Sequence, residues 1–104
     1  MAVLLQTFRT RVRPGKLEEA QAEAKRAKEL YEGRGASSVR AFWSIDAGDH
    51  SGDVTIVVEY PDAAAWSANV DSDDDEMHRV RSFLANGEGP LEVLGTSLLR
   101  EVNL

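Results

Sequence analysis

Val54, Ile56, Val58 and Tyr60 recur at every second position and stop at Pro61, which predicts a strand with one buried face, ending where the backbone loses a donor. Asp62 follows, placed to cap a short helix that carries Trp66. Residues 3–13 alternate in the same way, with Leu4, Phe8 and Val12 on one face and Thr7, Arg9, Arg11 and Arg13 on the other. This is a first strand with a charged side. Pro14-Gly15 then breaks the chain, and Leu17, Ala20, Ala24, Ala27 and Tyr31 step by three and four along an alanine-rich helix. Glu18 and Glu19 suit the dipole of its first turn, and Gly33 and Gly35 supply its stop.

Residues 38–47 set Val39, Ala41, Trp43 and Ile45 against Arg40, Phe42, Ser44 and Asp46, a second strand. The turn at 48–52, which holds His50 beside Asp49, joins it to the Val54 strand as a hairpin. The acidic run at 71–76 leads into a helix whose stripe is Met77, Val80 and Leu84, with Phe83 beside it. After a loop at 86–90, residues 91–102 form a last strand, with Leu91, Val93 and Leu99 on one face and Leu94, Leu98 and Val102 on the other. The order is β-α-β-β-α-β with the second helical region split in two. The predicted class is α+β, a ferredoxin-like split βαβ plan with an antiparallel sheet.

Helices in that plan cover one sheet face, yet apolar residues point to both: Phe42 opposes Trp43, and Val57 opposes Ile56. The simplest cover is a second copy, so the expected assembly is a homodimer joined through its sheet faces, with a partly polar cavity between. About 800 Å² would be buried per partner.

The 104 residues, 42% hydrophobic, suit a single domain spanning 1–104. Twelve basic and eighteen acidic side chains give a net charge of -6, which opposes nucleic acid and anionic membranes as partners. The chain has no cysteine, excluding disulfides and thiolate chemistry. Residues 1–8 are apolar but too short for a signal peptide and meet Arg9 and Arg11 directly, so a soluble, cytoplasmic protein is expected.

The polar sheet face, with Arg9, Arg11, Arg40, Phe42, Asp46, Thr55, Val57 and Glu59, has two readings. Arg9 or Arg40 can pair with Glu59 or Asp46 to hold the sheet, or one or two charges can orient a carbonyl-bearing or anionic ligand in an apolar pocket. His78 follows Asp74 and Asp75 by four and three positions, which favours its charged form on a helix surface. It is also the best general base or axial ligand in the chain. Trp66 shares a stripe with Ala63 and Val70, which points to core packing with its indole N–H paired. Trp43 reads as core as well. The acidic run places Glu76 where a calcium loop needs glycine and Ser82 where it needs glutamate. With two distant histidines there is no zinc pattern either, and no cofactor fingerprint is present.

Three strings carry a resemblance: Val12-Arg13-Pro14-Gly15-Lys16, the run from Val57 through Glu59, Tyr60 and Pro61 to Trp66, and Ser97-Leu98-Leu99-Arg100-Glu101-Val102. Together with the element order they make the chain similar to the dimeric α+β barrel superfamily, which includes antibiotic-biosynthesis monooxygenase-like and NIPSNAP-like families. The resemblance implies a barrel dimer and, more broadly, cofactor-free oxygenases, small-molecule isomerases or haem-degrading enzymes. Its haem-degrading branch would use Trp66 and His78, and its strand-one asparagine position holds Phe8 here.

The leading expectation is therefore a dimer that binds a small apolar organic molecule and acts on it without a cofactor. Arg9 would orient an oxygen, Glu59 or His78 would move a proton, and Phe42 and Trp66 would form apolar walls. The alternative is a non-catalytic dimer whose polar face is a satisfied interface. An open cavity of about 300 Å³ or more with convergent polar groups separates the first from the second.

Overall fold

The computed structural model describes residues 3–45, 48, 52–71, 74–85 and 89–104, with 81–85 described by their backbone alone. Strand β1 (Leu4–Val12) leads through Gly15, at φ +74°, into helix α1 (Leu17–Glu32). Strands β2 (Ser38–Trp43) and β3 (Val54–Tyr60) form the hairpin, helices α2 (Ala63–Val70) and α3 (Asp75–Ala85) follow, and β4 (Leu91–Arg100) completes the sheet. All pairings are antiparallel, in the spatial order β2-β3-β1-β4. The ferredoxin-like α+β fold is thus the observed one, with β1 and β3 central.

The alternating pattern decides which face is covered. Leu4, Val39, Ile56, Val58 and Tyr60 are buried with Ala20, Ala27, Leu30, Tyr31, Met77 and Val80 of the helices. Phe8, Val12 and Val54 pack against the same cluster. Arg9, Arg40, Phe42 and Glu59 fall at the opposite parity, on the face away from the helices. Asp62 caps α2, its Oδ1 accepting from the Ala65 amide at 2.8 Å. Gly35, at φ +106°, turns the chain after α1, while Gly33 keeps an ordinary helical conformation.

Four details depart from the sequence pattern. β2 closes at Trp43: Ser44 still bonds Asp53 O at 2.9 Å, but Ile45 beyond it is 90% exposed and has no core to join. The rest of that turn, with Asp46, Asp49 and His50, lies outside the described residues, as do Ser72 and Asp73 of the acidic run. On α2 the inward residues are Ala65, Trp66 and Asn69, whereas Ala63 and Val70 are exposed. In β4 the register shifts: Arg9 pairs with Gly95 and Thr10 with Val93, leaving Leu94 as an extra residue. The bulge inverts the faces beyond it, so Leu98 pairs with Gln6 on the helix side and Leu99 with Leu5 on the open side. The predicted grouping of Leu99 with Leu91 and Val93 is corrected accordingly.

The acidic run has a visible use. Asp74 Oδ1 accepts from the Met77 amide at 3.0 Å, capping α3, and its other oxygen pairs with Arg34 from the loop after α1. The guanidinium first, then the Met77 amide, holds this carboxyl below its ordinary value. A depressed folded-state value stabilises the fold above the unfolded value near 4, and that contribution is lost as pH falls through the folded one. Asp74→Ala is therefore expected to melt below the parent at pH 7, with the gap closing as the pH drops below about 4; a constant gap across a pH series of thermal melts would contradict this origin.

Candidate functional site: a cavity beneath the first helix

Ala20 and Ala24 present single methyl groups to the sheet where longer side chains would fill the gap. Beneath them lies a cavity of about 150 Å³. Its roof is Leu17, Ala20, Gln21 and Ala24 of α1; its floor is Val12, Val54, Ile56 and Leu91, with residues 41–43 of β2 along one side. The lining is overwhelmingly apolar. Trp43 stands at its edge, 55% exposed. The expected core role of Trp43 is thus corrected to that of a cavity-edge residue.

The open sheet face has a different character. Its cross-strand rows run Phe42, Thr55, Arg9, Gly95, then Arg40, Val57, Thr7, Ser97, then Ser38, Glu59, Leu5, Leu99. Thr7 and Ser97 share a hydroxyl hydrogen bond, and the Arg40 guanidinium sits 5.6 Å from the Phe42 ring centre. Phe42 and Leu99 remain 48% and 49% exposed. Among the described residues neither Arg9 nor Arg40 forms an ion pair with Glu59. The register explains this for Arg40, whose direct neighbour is Val57, while Glu59 sits between Ser38 and Leu5.

The five residues singled out by sequence therefore occupy two layers. Arg9, Phe42 and Glu59 lie on the open face, and Trp66 and His78 lie in the helical layer on the other side. Trp66 packs on the core, half-buried, but its Nε1 is buried without a hydrogen-bond partner, contrary to the pairing expected of it. His78 is exposed on α3, and Asp74, expected to face it, instead serves Arg34 and the helix cap. Of the five, Phe42 alone lines the cavity.

These positions do not fit haem. His78 is exposed, Phe8 and Trp66 pack against the core, and none of the three lines the cavity beneath α1. Among the described residues no cluster of histidine and carboxylate side chains is suited to a metal ion. No helix among them is long and apolar enough to cross a membrane.

One group escaped the sequence reading. Glu23 of α1 is 6% exposed, with its carboxylate 3.4 Å from Arg79 of α3 and 3.7 Å from Arg26. The signal was available: position 23 is three after Ala20 and four before Ala27, both on the buried stripe. A carboxylate at a core position of a helix calls for a partner or a purpose. A separate depression of about 270 Å³ between Arg26, Glu29, Arg34 and Glu76 is polar, shallow and open to solvent.

No family model matches the chain, and no curated protein matches its sequence. Solved structures do match. The Mycobacterium tuberculosis protein Rv0793 superposes with a TM-score of 0.68 at 14% identity, covering 100% of this chain and 98% of its own. A Bordetella bronchiseptica protein provisionally named an antibiotic biosynthesis monooxygenase gives 0.65 at 16% identity, covering 100% and 99%. A Bacteroides thetaiotaomicron protein with the same provisional name gives 0.60 at 21%, covering 98% and 90%. The likeness runs end to end and is one of fold.

Proposed function

We propose that this chain, which shares its α+β fold with proteins provisionally named antibiotic biosynthesis monooxygenases, is a homodimer that binds a small apolar organic molecule and transforms it without a bound cofactor, in the manner of a monooxygenase or isomerase. The cavity beneath α1 carries this reading. At about 150 Å³ and with an apolar lining, it falls short of the ~300 Å³ space with convergent polar groups expected from the sequence, so the ligand it suits is small, of one or two rings.

The open face is assigned to the second subunit. It also offers a second location for chemistry: Arg9 and Glu59 stand there without pairing to each other, so in a dimer Arg9 is placed to orient a carbonyl or anionic oxygen and Glu59 to move a proton, with Phe42 as an apolar wall. Trp66 and His78 lie in the helical layer outside the cavity beneath α1, Trp66 as an apolar wall of the core and His78, exposed on α3, as the other group able to carry a proton.

The test is a titration with ethylbenzene followed by Trp43 fluorescence in a Trp66→Phe background. A saturable change is expected. Ala24→Phe, which puts a ring into the cavity, is expected to weaken binding by more than about tenfold, or ~1.4 kcal/mol, with an unchanged circular dichroism spectrum. Unaltered affinity in that variant would remove the cavity from the account.

A further inference from the structure

The open sheet face keeps charges that its own chain leaves unanswered. Arg11 pairs with Asp53 at 3.1 Å, and the Thr7 and Ser97 hydroxyls satisfy each other. Among the described residues Arg9, Arg40 and Glu59 enter no ion pair. Arg40, on the edge strand β2, has the Phe42 ring beneath it, whereas Arg9 and Glu59 belong to the two central strands. Arg9 is exposed between Thr55 and Gly95, where a Cβ on the glycine would stand 4.0 Å from its Nη2, and Glu59 is half-buried beside Leu5.

The register explains why these two miss each other within one chain. Arg9 faces Thr55 and Leu5 faces Glu59, so four residues, roughly 13 Å of strand at ~3.3 Å each, separate their rows. They stand on opposite sides of the row that holds Thr7 and Val57. A second copy laid on this face takes both charges out of water, and a charge buried at an interface needs an opposite one. In a two-fold contact each residue of a pair meets the other residue of the second copy, twice over. A two-fold axis lying between the sheets, above the row of Thr7 and Val57, exchanges the Arg9 row with the Glu59 row.

We propose that Arg9 of each protomer pairs with the partner's Glu59, so that the open face carries two identical ion pairs, one on each side of the dimer axis. This rests on the reading of that face as the contact between two copies, and deepens it. The guanidinium assigned to an oxygen and the carboxylate assigned to a proton come together only in the dimer, and each such site takes one residue from each chain.

Sedimentation equilibrium of Arg9→Glu, of Glu59→Arg and of their equimolar mixture tests it. Each variant alone sets like charges together twice in its own dimer and is expected to weaken that dimer at least about tenfold relative to the parent. In the mixed dimer both contacts regain opposite charges, and an affinity within about threefold of the parent's is expected. A pair within one chain gives no such recovery, because each chain of the mixture still carries its like charges. Net charge alone predicts otherwise as well, since Glu59→Arg makes this acidic chain less negative and would strengthen its association. Arg9→Gln and Glu59→Gln, which remove one charge each, are also expected to weaken the dimer, and unchanged dimers in both would overturn the pair even where a reversed charge prevents folding. A mixture that associates no more tightly than its parts would overturn the pair and leave the dimer standing; a monomeric parent would overturn both.

Discussion

Truncation of Tyr60 to alanine is expected to destabilise the fold by about 3–5 kcal/mol, a large part of the ~5–15 kcal/mol available to a domain of this kind. Tyr60 closes the central strand β3, is fully buried, pairs with Leu4 across the sheet, and its hydroxyl donates to Gln6 Oε1 at 3.3 Å. Removing the ring opens a void between β1, β3 and the helices that rigid neighbours cannot fill. Tyr60→Phe, which keeps the ring and loses the hydroxyl, should cost about 1 kcal/mol. Urea denaturation followed by circular dichroism measures both, with the midpoint moving and the slope held. A loss below about 1 kcal/mol in the alanine variant would mean that the core is not where β3 and the helices place it.

The open sheet face carries the second large effect. In the proposed dimer, burial of Phe42, Leu99, Leu5 and Val57 against a second copy would remove from water the apolar area that the helices leave uncovered. The parent is expected to sediment at twice the chain mass. Phe42→Lys replaces the ring on which the Arg40 guanidinium sits with a second cation on the same face, and two like charges pressed into an interface oppose association strongly. Its dimer is expected to weaken more than about a hundredfold, ~2.7 kcal/mol, with the melting temperature of the monomer little changed. A parent that sediments as a monomer at all concentrations would remove the dimer from the account. Aspartate would be a poorer choice, since Arg40 stands ready to pair with it.

Much of this architecture is legible in the chain because local signals agree with one another. The period-two run from Val54 to Tyr60, the stop at Pro61 and the Asp62 cap point to one boundary, and the structure has it there. The Ala20 and Ala27 stripe likewise finds its sheet. Legibility ends where one residue changes a register or one side chain breaks a pattern. Leu94 adds nothing unusual to the sequence of β4, yet as a bulge it exchanges the faces of Leu98 and Leu99, and alternation cannot show an inserted step. Trp43 alternates correctly and still lies at the rim, because periodicity gives the face of a residue and not how deeply it is buried. Glu23 was hidden by its own polarity, since a stripe sought among apolar residues passes over a carboxylate.

The candidate site shares that limit. Arg9, Phe42 and Glu59 fall together on one face, as their parity implies, whereas Trp66 and His78 belong to the layer across the sheet. No spacing in the sequence reveals the cavity beneath α1, which arises from what Ala20 and Ala24 leave empty.

An apolar ligand is expected to enter on the helix side of the sheet, and methyl-resolved carbon–proton correlation spectra read the two faces separately. On titration with ethylbenzene the methyl signals of Val12, Leu17, Val54, Ile56 and Leu91 are expected to shift together and saturably while those of Leu5, Val57 and Leu99 stay in place. Saturable shifts confined to Leu5, Val57 and Leu99, or no shifts at all, would contradict it.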